Sequence, residues 1–90
     1  MIKVWVKDPS SVLDWHFDWL DWLETGETII ASTMTADSGL TIAADSHTDT
    51  NTTSWLAGGT SGSQYTVTNR ITTNQGRIDD RSITIRVMQR

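Results

Sequence analysis

Gln64-Tyr65-Thr66-Val67-Thr68-Asn69-Arg70-Ile71-Thr72-Thr73, turning at Asn74-Gln75-Gly76-Arg77 into Asp80-Arg81-Ser82-Ile83-Thr84-Ile85-Arg86-Val87, decides the fold of this chain. Tyr65, Val67 and Ile71 share one parity, as do Ile83, Ile85 and Val87. Thr66, Thr68, Arg70 and Thr72 take the opposite face of the first segment, and Ser82, Thr84 and Arg86 that of the second. This period-two alternation predicts a half-buried antiparallel pair of strands at 64–73 and about 80–88. The pattern specifies packing, not chemistry.

Upstream, Trp55 and Leu56 end a strand predicted at 52–56, and Gly58-Gly59-Thr60-Ser61-Gly62-Ser63 forms a glycine-rich corner into Tyr65. A strand, a glycine corner and Tyr-x-Val entering a long strand make a tyrosine corner. There the hydroxyl bonds back to the corner backbone and the ring enters the core. Tyr65, Gly58 and Gly59 are therefore read as structural. Further strands are predicted at 11–18, with Leu13, Trp15 and Phe17 on one face and Asp14, His16 and Asp18 on the other. Two more follow at 28–35 and around Leu40, Ile42 and Ala44. Adjacent Ile29 and Ile30 imply that the outer face of the second of these strands is partly covered. Residues 45–51 are polar throughout and read as a loop, with room for a short edge strand.

Between the first two of these strands the period changes. Trp19, Trp22 and Leu23 fall at i, i+3, i+4, which predicts one helical turn over 18–24 with Asp18 as its N-cap and Gly26 as its stop. At the start, Ile2, Val4 and Val6 alternate with Lys3, Trp5 and Lys7 until Pro9 breaks the run. Residues 1–7 read as an N-terminal arm or edge strand, and 8–90 as a single sandwich domain. About seven short strands with turn signals every eight to twelve residues give an all-β, Greek-key β-sandwich of the immunoglobulin or fibronectin-III type.

Composition narrows the function classes. The 90 residues are 37% hydrophobic and 20% charged, as in a globular domain. There is no cysteine, hence no disulfide or thiolate metal site. The net charge of −4 argues against a nucleic-acid partner. No apolar run is long enough for a signal peptide or a membrane span, so a soluble protein made in the cytoplasm is expected. Five tryptophans exceed what so small a core hides, so some are expected at a contact surface.

No set of residues assembles an active centre. Asp14, Asp18 and Asp21 beside Trp15, Trp19 and Trp22 suit either a plug at one end of the sandwich or a sugar-stacking platform. A pair of glycosidase carboxylates lacks a cleft to work in. His47 with Asp45 and Asp49 has metal-like spacing within a polar loop, and His16 lies on an exposed strand face. The glycine corner has neither the lysine nor the following helix of a phosphate loop. Arg70, Arg77, Arg81, Arg86 and Arg90 crowd the last quarter, while most acids precede position 50. The expected uses are cross-strand pairs, such as Arg77 or Arg81 with Asp79 or Asp80, and head-to-tail subunit contact. In that contact a basic hairpin meets the acidic aromatic turn of a neighbour.

Several phrases in order carry a more specific likeness: Lys7-Asp8-Pro9-Ser10-Ser11-Val12-Leu13-Asp14, Phe17-Asp18-Trp19-Leu20-Asp21-Trp22-Leu23, Trp55-Leu56-Ala57-Gly58-Gly59-Thr60, Tyr65 through Thr73, Gly76-Arg77 and Asp80-Arg81-Ser82-Ile83. Together they resemble a family of small proteins of tailed bacteriophages, described as fibre–tail adaptor or virion structural proteins. The resemblance implies an immunoglobulin-like virion component present in many copies, or as a homo-oligomeric ring. It would be an adaptor at the neck or tail that joins tail or portal proteins to fibres, with no chemistry and no cofactor. Capsid decoration, as a head-fibre protein, and carbohydrate binding are the alternatives. Trp5, Trp19, Trp22, Arg70, Arg77 and Arg81 are the expected protein-contact residues.

Overall fold

The computed structural model describes residues 4–89 as seven strands in two sheets. These are β1 (Val4–Lys7), β2 (Val12–Asp18), β3 (Ile29–Ala36), β4 (Leu40–His47), β5 (Asn51–Gly58), β6 (Gln64–Thr73) and β7 (Ile78–Val87). The four-stranded sheet runs β1-β7-β6-β3 and the three-stranded sheet β2-β5-β4. This is an all-β sandwich in which the first strand joins the larger sheet and pairs in parallel with the last. The opening hairpin pairs antiparallel as expected, Tyr65 opposite Ile85 and Val67 opposite Ile83, with β7 beginning at Ile78 rather than near 80. Val4–Lys7 is thus an edge strand. Residues 1–3, the remainder of the arm read from sequence, lie outside the described residues.

Of the polar stretch 45–51, residues 45–47 take the edge-strand option left open for it: Asp45, Ser46 and His47 pair with Ser54, Thr53 and Thr52. Their polarity marks an edge strand whose side chains face water while its backbone still pairs. One reading changes: Ile30 is not covered. The register slips between Ile29 and Ala31, so Ile29 enters the core while Ile30 is 58% exposed.

Alternation builds the core in two clusters. Trp15, Leu40, Leu56, Tyr65, Val67, Ile85 and Val87 pack at the corner end, and Phe17, Trp19, Ile29, Met34 and Ile71 at the other. Ile42 and Ile83 touch both. Every inner position of β6 is buried, including Asn69 and Thr73. Asn69 holds its place because its amide is satisfied. Its Oδ1 accepts from the Trp19 indole at 2.9 Å and the Thr52 hydroxyl at 2.6 Å. Its Nδ2 donates to Ser32 Oγ at 2.9 Å and the Thr33 carbonyl at 3.2 Å. One side chain so ties both sheets to the turn after β2.

The corner closes as the sequence predicts. The Thr60 N–H donates to Tyr65 Oη at 2.9 Å, and the Tyr65 ring is buried. Lys7, read as one of the basic residues of the arm, is instead fully buried. Its Nζ donates to the carbonyls of Asp8 and Gly58, each at 2.8 Å, fastening the end of β1 to the corner. Burial lowers its pKa, partly opposed by the nearby Asp8 carboxylate.

Candidate partner-binding site

The segment after β2 forms the single turn expected of it. Asp18 Oδ1 accepts the Leu20 N–H at 3.0 Å, which is the N-cap bond. The Trp22 and Leu23 N–H groups both donate to the Trp19 carbonyl, at 3.0 and 3.1 Å. No helix continues from it. Gly26, at φ +78, does not stop a helix. It sits third in a separate turn closed by Glu27 N–H donating to the Glu24 carbonyl at 3.0 Å.

This turn carries Trp19 into the core, where none of its surface is exposed. Trp22 stands edge-on to it, ring centroids 5.4 Å apart and planes at 73°, and is half-buried. Two arginines of the β6–β7 hairpin region cover the pair. The Arg77 guanidinium lies 3.9 Å from the Trp22 ring centre, and the Arg81 guanidinium 4.2 Å from that of Trp19. Arg81 also donates to the Asp18 carbonyl at 2.6 Å. Arg77 donates through Nε to Glu27 Oε2 at 2.9 Å, through Nη2 to Glu27 Oε1, and to the Trp22 carbonyl at 3.2 Å.

The basic hairpin and the aromatic turn therefore meet, but inside one chain. Arg77 pairs with Glu27 rather than with Asp79 or Asp80, and Arg81 stacks on a tryptophan. Trp19, expected at a contact surface, is core, because its indole N–H finds its acceptor on Asn69 inside the sandwich. Trp15 is buried as well, so neither ring offers a face to a sugar. What this end presents outward is the exposed part of Trp22, the 58%-exposed Leu20, and the partly exposed Arg77.

Residues 7–86 match a family model described as podophage GP4 fiber-tail adaptor protein gp77. The chain belongs to this family. No curated protein matches it.

The remaining expected residues of this gp77-family protein lie elsewhere. Trp5, opposite Ile85 on β1, is 40% exposed. Arg70 makes a two-pronged pair with Asp80, at 2.8 and 3.0 Å, on the outer face of the larger sheet. It lies beside a depression lined by Thr33, Thr35 and Thr68. An exposed pair of this kind contributes little to stability. His47, Asp45 and Asp49 gather no ion site; among the described residues no three metal-ligating side chains converge.

Sequence reading missed Glu27 in this gp77-family chain, because an isolated acid after a glycine turn looks like solvent-facing loop. It is the anchor of the end. Besides Arg77, its carboxylate accepts from the Thr73 hydroxyl at 2.6 Å and the Glu24 N–H at 2.9 Å. Its pKa is lowered to about 2, chiefly by Arg77. A carboxyl lowered on folding stabilises the fold above its unfolded pKa. That contribution is lost as pH falls from about 4.5 toward about 2. Thermal melts between pH 6 and 2 should show Tm falling steeply in this window. Glu27→Gln should start lower at pH 6 and lose less on acidification; an unchanged pH slope would refute the assignment.

Proposed function

We propose that this protein is a non-enzymatic adaptor of a phage tail, joining tail or portal proteins to fibres as a component of the virion made in the bacterial host cytoplasm. The observation that carries this reading is the family match over residues 7–86. The fold suits the role: two cross-braced sheets and a corner locked by Tyr65 and Lys7 make a stiff spacer. A junction that bears mechanical load between larger bodies needs such a part. Several copies would act together, with Trp5, Trp22 and Arg70 as the outward contact residues.

The test is the location of the protein in intact particles. Particles assembled without it should keep filled heads and lose their fibres. Reconstruction of complete particles should find it between tail and fibre. Density on capsid hexamers, or full fibre occupancy without the protein, would overturn the reading in favour of a decoration role.

A further inference from the structure

The two sheets differ in charge. β2, β4 and β5 contain Asp14, Asp18 and Asp45, both histidines, and no lysine or arginine. The described basic residues all lie on β1, β6 and β7 or in the turn between the last two. At the centre of the outer face of the smaller sheet stands Trp55, 42% exposed. Its cross-strand neighbours are Asp14 on one side and Ala44 on the other. Ala44 is too small to cover the indole.

The same arrangement occurs twice at the end of the sandwich, and there it is complete. Trp22 lies under Arg77, whose guanidinium is held by the Glu27 carboxylate. Trp19 lies under Arg81, held by the Asp18 carbonyl. Trp55 has the aromatic face and the oxygen acceptor, but among the described residues no cation stands over it. Its carboxylate is already oriented. His16 donates through Nε2 to Asp14 Oδ2 at 2.9 Å, and its Nδ1 lies 2.8 Å from the Thr53 hydroxyl. That leaves Asp14 Oδ1 to accept an incoming donor, with part of the ordering cost already met in the free protein.

We propose that Trp55 and Asp14 form a receptor for an arginine side chain on another virion protein, which stacks on the indole and pairs with the carboxylate. This makes the outer face of the β2-β5-β4 sheet an attachment face of the adaptor, and so it rests on the adaptor reading. A basic partner surface meeting this cation-free sheet also gives the recognition its sign. Tryptophan and arginine are both enriched among the residues that carry most of an interface's binding energy.

The test places a photo-crosslinking residue at position 44, beside the site, in the full chain assembled into particles. The expected product is a cross-link to a different virion protein, in a peptide with an arginine next to the linked residue. With Asp14→Asn, and separately with Trp55→Ala, the yield should fall roughly tenfold, the size of one cation–π and charge-assisted contact. Circular dichroism melts should show both variants folded, since both side chains are exposed. Cross-links only to a second copy of this chain, to a peptide without arginine, or to nothing would overturn the proposal while the protein remains in the particle. Saccharide binding lost on Trp55→Ala, with no protein cross-link, would overturn it too. Absence of the protein from particles would instead remove the adaptor reading itself.

Discussion

Trp19→Ala is expected to cost about 3–5 kcal/mol, the range for deleting a buried large aromatic. A domain of this size has a total stability of roughly 5–15 kcal/mol, so the variant sits near the edge of folding. Three losses coincide. The ring fills the core between Phe17, Ile29, Met34 and Ile71. Its N–H supplies one of the two donors to Asn69 Oδ1. It also supports the edge of Trp22 and the guanidinium of Arg81. Trp19→Phe separates the first loss from the second, since it keeps an aromatic ring but has no N–H. The expected cost is about 1–3 kcal/mol, the scale of leaving one buried partner short. Trp22→Ala should cost less than Trp19→Ala, because Trp22 is only half-buried. Chemical denaturation of the three variants gives the ranking. A Trp22→Ala protein less stable than Trp19→Ala would place the weight of this end on the wrong ring.

The sequence alone gives no such ranking, and the reason is physical. Trp19 and Trp22 are three residues apart on a polar-flanked turn, and helical spacing says only that they share a side. Which of them is core depends on Asn69, fifty residues later. The signal was available in one respect: Asn69 occupies the inner parity between Val67 and Ile71, where an amide survives only with its partners supplied. The hairpin, the tyrosine corner and the N-cap were legible because each is set by local spacing and backbone preference. Glu27 and Lys7 were not. Their burial comes from partners distant in sequence, Arg77 in one case and the Gly58 carbonyl in the other, and nothing near either residue announces them. The arginine cluster was legible as composition. Its division into Arg77 and Arg81, used within the chain, and Arg70, paired on an open face, required the third dimension.

Gly59→Ala is expected to be the most damaging change at the corner, and Gly62→Ala is its control. The two glycines have nearly the same backbone, φ +95 and +91, where a side chain is strained by roughly 1–3 kcal/mol. They differ in space. A Cβ at Gly62 meets nothing within 4 Å, whereas one at Gly59 would come within 2.5 Å of Val87 Cγ2 and 3.4 Å of the Tyr65 ring. Overpacking a core typically adds roughly 1–3 kcal/mol, so Gly59→Ala should lose more than Gly62→Ala by about that amount. The displacement has a direction. Val87 is fully buried and hydrogen-bonds the corner through both its N–H and its carbonyl, and the next residue, Met88, donates to the Lys7 carbonyl at 2.9 Å. Pushing Val87 away from the corner therefore loosens β1 and uncovers Lys7, which is otherwise sealed. Trypsin should then cut after Lys7 in Gly59→Ala well below its Tm, while the parent and Gly62→Ala stay intact at that bond. Equal melting of the two variants, with Lys7 protected in both, would mean that the corner yields without moving β7, and that β1 is held by something other than the contacts described.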